Sequence, residues 1–580
     1  MKKSPPSSPS PAFFIRWRFY FVLILIAAAV AGLGWRIFDL AILDQHFLRK
    51  QGDERVLRMV STPAFRGMIV DRHGYPLAVS TSVYSAWINP PTFAPDKTAL
   101  AALAKVLQMK PNAILALVKQ KKQREFVYLK RSLAPELAAQ IKALAIPGVF
   151  LQQEHRRYYP EGEVMAQVIG FTNVDDQGQE GMELGYNEWL QGEPGKKWVI
   201  KDRLGRIIAD VQQVQEQKPG RELVLSIDRR IQYLAYRELL AGITRYQARA
   251  GSAVVLDVKT GEVLAMVNYP SFNPNNRSGQ EAREWYRNRA VTDLFEPGST
   301  IKAFSVATAL DSERYQPDTM IDTHPGWLRV GRETVKDRKN NGPLTVTQIL
   351  QLSSNVGVTK MILDVPPNNL REILHKVGFG EITGVGFPGE QNGVLVQPPR
   401  WGDFTLATLA FGYGLSVTPL QLARAYAVLA NNGVKLPVSL LRQSSMPVGE
   451  QVIRAPIAQQ MLVLLEKVVS KGAGGEKANV PGYRVAGKTG TAQMASEGGY
   501  ARRRYISSFV GIAPVSQPRF VVAVVIHEPS GKEYYGGLVA GPVFEKIMEG
   551  TLRMMDVPPD KEAEDTRHSN PRPQGALLNK

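Results

Sequence analysis

The stretch FEPGSTIKAFSVATAL, Phe295 to Leu310, decides how the rest of the chain is read. Pro297 and Gly298 make a turn, Ser299 stands where a helix N-cap belongs, and a mostly apolar run predicts a helix after it. By itself a serine followed three residues later by a lysine means a capped helix with a solvated first-turn lysine. The residues that follow resist that reading, because Ile301, Ala303, Phe304, Val306, Ala307, Ala309 and Leu310 leave the helix apolar around most of its circumference and therefore buried. A lysine buried there must find a partner or lose its proton readily. Ser299 and Lys302 share a helical face at this spacing, so a neutral Lys302 amine could take the Ser299 hydroxyl proton and make that oxygen a nucleophile.

Two further triplets extend the pattern. SSN supplies Ser353 and Asn355 on a helical or loop segment, and GKTGT supplies Lys488, Thr489, Gly490 and Thr491 on a strand. Neither is specific alone, and the chain carries decoys of both: SFN at Ser271 to Asn273, and KTG at Lys259 to Gly261, a hairpin tip. The weight lies in the order S-x-x-K, S-x-N, K-T-G on three elements of suitable type, the set shared by serine β-lactamases and penicillin-binding proteins. GYRVAGKT, Gly482 to Thr489, also satisfies the phosphate-binding loop pattern, but no buried strand leads into it and no helix opens after it. The seven histidines, at 46, 73, 155, 324, 375, 527 and 568, lack zinc-ligand spacing, so no metal or cofactor is expected. The run ARRRY, Ala501 to Tyr505, reads most simply as a solvated loop, although it could meet an anionic wall strand.

The 580 residues exceed one ordinary core and predict two or more domains. A formal charge of +18 favours anionic surroundings, without a motif that would select nucleic acid. With no cysteine there are no disulfides or thiolate metal sites. FYFVLILIAAAVAGLGW, Phe19 to Trp35, is uncharged, and Lys2, Lys3, Arg16 and Arg18 precede it. The positive-inside rule then gives a cytoplasmic tail (1–18), a retained anchor (19–40) and a large outer portion in a bacterial inner-membrane protein. A cleaved signal peptide is the alternative. Strand, turn and strand are expected over Arg66 to Ser80, helices from Asp96 to Pro147, and an amphipathic helix beginning near Asp228. A hairpin follows across Lys259 to Gly261, then mainly helices from Ser299 to about Gly433, and strands again at YRVAGKTGTAQ, SSFVGIAP and RFVVAVVIHE. A last helix spans Val543 to Met555, before a tail (557–580) expected to be disordered. Early strands, a helical middle and late strands predict one sheet flanked by helices with an inserted helical layer, an α+β or α/β arrangement.

With these residues in view the sequence resembles a class B penicillin-binding protein of the division-specific type. The resemblance rests on RGMIVDRHGYPLA and EGMELGYNEWL, on RNRAVTDLFEPGSTIK, SSN and AGKTGTAQ, and on FGYGLSVTPLQLARAYAVLANNG, and it covers nearly the whole chain. RNRAVTDLFEPGS is the part that resembles the division enzyme rather than its elongation-specific relative. Ala303 departs from the proline that many relatives carry after the lysine, which touches helix geometry only. The resemblance implies a penicillin-binding transpeptidase fold (219–556), an antiparallel sheet flanked by helices plus a helical subdomain. It also implies an elongated, non-catalytic pedestal of the dimerisation type (50–218) behind one transmembrane helix. It implies that Ser299 attacks the penultimate D-alanine of a peptidoglycan stem peptide, with Lys302 as base and Ser353 passing a proton to the leaving amine. Asn355 would hold the substrate amide, Lys488 lend charge, and Thr489, Gly490 and Thr491 bind the carboxylate. The backbone N–H groups of Ser299 and Thr491 would form the oxyanion hole. β-Lactams would acylate Ser299 in the same way, and the partners would be divisome membrane proteins, a SEDS-type glycan polymerase among them, at the inner membrane. A D,D-carboxypeptidase or β-lactamase would share the triad, and a bifunctional synthase would need a glycosyltransferase that residues 50–215 do not resemble. A scaffold would not need the intact triad, and a β-lactam sensor would need a larger cytoplasmic part.

Overall fold

Strand β1 (Ala250–Asp257) sends Ala253 and Val255 to one face and Val254 and Leu256 to the other, and all four are fully buried. A strand apolar on both sides has to lie inside a covered sheet. In this computed structural model, which describes residues 11–45, 47, 57–201, 207–277, 283–496 and 499–561, that sheet has five strands. They are β1, β2 (Val263–Tyr269), β3 (Ala486–Ser496), β4 (Gly499–Ala513) and β5 (Phe520–His527), in the spatial order β2-β1-β5-β4-β3 with every pairing antiparallel. The central β5 reads FVVAVVI from Phe520 to Ile526, continuously apolar and buried as a doubly covered strand must be, before it ends at His527.

One face packs on α1 (Arg229–Tyr246), capped by the Asp228 carboxylate, and on the final helix Gly541–Met554, through Ile231, Leu239, Ile243, Phe544 and Ile547. The other face meets the helical layer: α2 (Lys302–Asp311), α3 (Val346–Leu352), α4 (Asn355–Leu363) and α5 (Pro419–Ala430). The helical middle expected from Ser299 to Gly433 is interrupted, because WLRVGRETVK forms a hairpin of Trp327–Val330 with Glu333–Lys336. Val330 and Val335 seat that hairpin on Ala407, a local period-2 pattern too short to read in a helical context.

Two compact units divide the described chain. One holds the described residues up to Ala64, Tyr84–Gln153 and Glu193–Lys218; the other holds Phe65–Val83, Glu154–Gly192 and the described chain from Pro219 onward. In the first, strands Leu57–Thr62, Gly195–Lys201 and Ile207–Gln215 form an antiparallel sheet. Helices Lys97–Leu107, Pro111–Gln120 and Pro135–Ala143 bury Leu103, Ile114 and Ile141 against Ala86, Ile88, Val127 and Leu129 of neighbouring strands. The first helix, Pro11–Phe38, continues through a π-helical turn to Leu43, and Trp17–Leu43 is long and apolar enough to cross a membrane. In the second unit, the Glu183 carboxylate is held between the guanidiniums of Arg66 and Arg157, each at 2.6 Å, with all three side chains buried. The expected tail lies, from residue 562 onward, outside the described residues.

Candidate active site

The segment Phe295 to Leu310 does not start its helix at Ser299. Gly298–Ile301 forms a 3₁₀ turn and α2 begins at Lys302, so the expected N-cap role of Ser299 is not the one it has. Thr300 takes the local bond instead, its hydroxyl donating to the Pro297 carbonyl at 2.9 Å. The turn is fixed from outside: the Gly298 N–H donates to Gly412 O at 3.0 Å, and the Tyr426 hydroxyl of α5 donates to Thr300 O at 2.7 Å. Gly412 sits at φ +88°, and a Cβ there would lie 1.9 Å from Gly298 O, so no other residue allows this approach. Ser299 is left half-buried with its hydroxyl uncommitted to any hydrogen bond among the described residues.

Lys302 is fully buried one turn on. Its Nζ lies 2.6 Å from Ser353 O, 3.2 Å from Ser353 Oγ and 2.6 Å from Asn355 Oδ1. Burial first, and then the neighbouring Lys488 charge, hold the amine well below the ordinary lysine value, while Asp337 opposes them. Three acceptors match the three donors of an ammonium, whereas a neutral amine has two donors and a lone pair. Losing the proton therefore frees Nζ from one acceptor and turns a lone pair towards a new donor. Lys488, also fully buried, reaches Ser353 Oγ at 3.1 Å from β3, and burial brings it down to about 7. Ser353 Oγ thus accepts from two lysines of shifted pKa and can pass a proton between them and a bound molecule.

Ser353 can hold this position because it ends α3 in the left-handed conformation, φ 58° and ψ 44°, turning its hydroxyl back while Ser354 starts α4. Asp337, at the end of the hairpin, anchors that junction. Its carboxylate accepts from Asn355 N at 2.5 Å, Val356 N at 3.0 Å and Ser354 Oγ at 2.6 Å, an acid at a helix start where the dipole favours it. Asn355 Nδ2 donates to Lys336 O at 2.9 Å, which fixes Oδ1 towards Lys302.

On β3, Thr489 and Thr491 point into the same cleft as Ser299, Ser353 and Asn355, and Gly490 between them lies against the serine turn. A Cβ on Gly490 would stand 2.9 Å from Pro297 O and 2.3 Å from Ser508 Oγ. Thr491 Oγ1 accepts the Gly536 N–H at 2.9 Å. The cleft has a volume of about 720 Å³ and is walled by Tyr413, Tyr505, Tyr534 and Tyr535, with Tyr505 stacked on Tyr534 at 4.2 Å and Arg338 over the Tyr535 ring at 4.0 Å. Every site residue expected from the sequence therefore lies in the cleft or is bonded to a residue that lines it. Asp337 and the tyrosine wall were not foreseen, because Asp337 stands in the charged run KDRKNN and the tyrosines are scattered through unrelated segments. No cluster of His, Asp or Glu suited to a metal ion occurs among the described residues.

Residues 251–549 match the family model of the penicillin binding protein transpeptidase domain, and residues 61–225 match that of the penicillin-binding protein dimerisation domain. The peptidoglycan D,D-transpeptidase FtsI of Escherichia coli K12 is 43% identical over 564 residues, 96% of this chain and 95% of that protein. The chain belongs to the class B penicillin-binding proteins. A second member, the probable peptidoglycan D,D-transpeptidase PenA of Neisseria meningitidis serogroup A, is 40% identical over 94% of both chains. Among solved members of the family, the transpeptidase domain of Burkholderia pseudomallei penicillin-binding protein 3 is 41% identical with a TM-score of 0.54, covering 58% of this chain and 98% of that one. A peptidoglycan synthetase of Bifidobacterium adolescentis is 28% identical with a TM-score of 0.69, covering 88% and 98%. This penicillin-binding protein thus has the fold expected of it, a helix-flanked antiparallel sheet with a helical subdomain.

Proposed function

We propose that the chain is a peptidoglycan D,D-transpeptidase of the FtsI type, cross-linking stem peptides in septal wall synthesis through a serine acyl-enzyme. The observation that carries this is the convergence on Ser353 Oγ of Lys302 Nζ at 3.2 Å and Lys488 Nζ at 3.1 Å beside a free Ser299 hydroxyl. Neutral Lys302 takes the Ser299 proton as the oxygen attacks the carbonyl of the penultimate D-alanine. Ser353 returns a proton to the departing D-alanine amine, and the amine of a neighbouring stem peptide then resolves the acyl-enzyme. Asn355 holds the donor amide. Charged Lys488 and the hydroxyls of Thr489 and Thr491 hold the carboxylate, with Gly490 keeping β3 close, and the N–H groups of Ser299 and Thr491 receive the oxyanion.

Residues 1–18 form the cytoplasmic tail, 19–40 the anchor, 50–218 the pedestal, 219–556 the catalytic domain and 557–580 the tail in this reading. The uncharged segment after four basic residues supports an inner-membrane anchor with a periplasmic catalytic domain. Divisome membrane proteins, a SEDS-type glycan polymerase among them, are its partners.

Intact-mass spectrometry with benzylpenicillin tests the nucleophile. The wild type gains one persistent adduct and Ser299→Ala gains none; labelling that survives in Ser299→Ala overturns the assignment. The pH dependence of acylation tests Lys488. Because that lysine titrates at about 7, the rate falls as pH rises above this value and the carboxylate loses its cation. In Lys488→Arg the guanidinium keeps its proton, so the falling limb moves beyond about pH 9 whatever the amplitude.

A further inference from the structure

Behind the cleft, on the opposite side of β3, lies a second cavity of about 370 Å³. Gln493 lines the active cleft and its neighbour Met494 lines this cavity, as alternation along a strand requires. Tyr505 and Glu528 connect the two sites again: the tyrosine ring walls the cleft, while its carbonyl accepts the Glu528 N–H at 2.9 Å, and Glu528 lines the cavity. Acyl transfer as described uses none of the residues that line this cavity.

Three guanidiniums, of Arg249, Arg287 and Arg289, share the walls with three carboxylates, of Glu284, Asp293 and Glu528, but are not equally engaged by them. Arg287 and Arg289 both hold Asp293, at 3.0 and 2.7 Å. Glu528 gives its fork to Arg504, at 2.7 and 3.0 Å, and leaves Arg249 a single contact at 3.3 Å. Arg287 grips Asp293 with both arms and Arg289, 9% exposed, turns its second nitrogen to Glu284 O at 3.5 Å, so Arg249, 65% exposed with one long carboxylate contact, is the wall arginine whose fork is open to a ligand. His527 also lines the cavity, with no side-chain hydrogen bond among the described residues, and burial brings it down to about 4, so it is neutral at physiological pH. The remaining wall is apolar: Tyr269, Pro270, Trp285 and Met494.

We propose that this cavity is a second binding site, taking the free carboxylate of a peptide-like ligand on Arg249 and its apolar side chain between Trp285 and Met494. A guanidinium fork matches a planar carboxylate with two parallel hydrogen bonds, and the neutral His527 ring adds a donor without repelling the anion. The volume suits one amino-acid residue rather than a folded partner.

N-Acetyl-L-phenylalanine is the probe and N-acetyl-L-phenylalaninamide, which lacks the carboxylate, the control. Full-length protein in detergent is first acylated with benzylpenicillin to close the active cleft, then titrated by calorimetry. Saturable binding of the acid is expected, at least about tenfold tighter than the amide, which is the loss of one charge-assisted pair. Arg249→Gln, a change at a side chain that is 65% exposed, abolishes that preference and leaves acylation unchanged. Trp285→Ala weakens acid and amide alike. Equal binding of acid and amide, no binding of either, binding lost on acylation, or a preference that survives in Arg249→Gln each overturns the proposal. If acylation itself fails, the same titration on unmodified protein judges the cavity through Arg249→Gln, independently of the acyl-enzyme reading.

Discussion

Lys302→Met lowers the rate of penicillin acylation by about 10³-fold or more and leaves the protein at least as stable as the wild type at pH 7. The kinetic half follows from removing the base proposed for Ser299, a role worth about 10²–10⁴ in rate, together with one of the two donors on Ser353 Oγ. The stability half follows from the direction of the pKa shift. A lysine held well below its ordinary value takes up fewer protons folded than unfolded, so the wild type gains stability as pH rises from the folded value towards the unfolded one near 10.4. Methionine of similar length carries no such cost. Its advantage is greatest at the acid end of that window and shrinks as pH approaches 10. The substitution also removes a donor from Ser353 O and Asn355 Oδ1, which offsets part of the gain by about 1–3 kcal/mol. Acylation is followed by stopped-flow and stability by thermal melts from pH 6 to 10. A variant that melts below the wild type at pH 7, or keeps the same pH slope, shows that burial does not hold Lys302 down.

What the sequence could and could not say divides along range. The strands β1, β2 and β5, the helix capped by Asp228 and the long apolar N-terminal helix were legible because each is decided by periodicity and punctuation along its own stretch of chain. The 3₁₀ turn at Gly298–Ile301 was not, since Ser299 has the local chemistry of an N-cap and is denied it by contacts of its neighbours Gly298 and Thr300 with Gly412 and Tyr426, 114 and 126 residues further along the chain. Asp337 was lost for the same reason. It reads as one more charge in KDRKNN, and only the hairpin that precedes it, read as part of a helical region, brings its carboxylate under the start of α4. The serine, lysine and asparagine side chains could be named from sequence; the distances that let one hydroxyl serve two lysines belong to the tertiary packing.

Glu183→Gln is expected to be the most destabilising single change outside the cleft, at about 3–5 kcal/mol, the cost of breaking a buried ion pair from one side. EGMELGYNEWL places Glu183 fully buried, where Oε2 accepts from Arg66 Nε and Oε1 from Arg157 Nε, both at 2.6 Å. The arginines are committed elsewhere as well: Arg66 donates to Glu183 O at 2.8 Å and Asn187 Oδ1 at 2.9 Å, and Arg157 to Gly67 O at 2.7 Å. Neither can swing to water when the carboxylate goes. Glutamine keeps the volume but supplies one acceptor for two guanidiniums and leaves two positive charges inside. Asp176 also feels both arginines, and burial raises it to about 6 against their pull. Removing the Glu183 charge that also raises it lowers its pKa, and an ionised Asp176 recovers part of the loss. The loss relative to the wild type should therefore be greatest at acid pH, below the wild-type Asp176 value, and smaller above about pH 6, whereas a packing defect would cost the same at both. Urea unfolding at pH 5 and pH 7.5 separates the two. A loss under 1 kcal/mol at both values would mean that the pair of arginines is satisfied by its carbonyls alone, and that the carboxylate sets the geometry of Arg66 and Arg157 without holding the fold together.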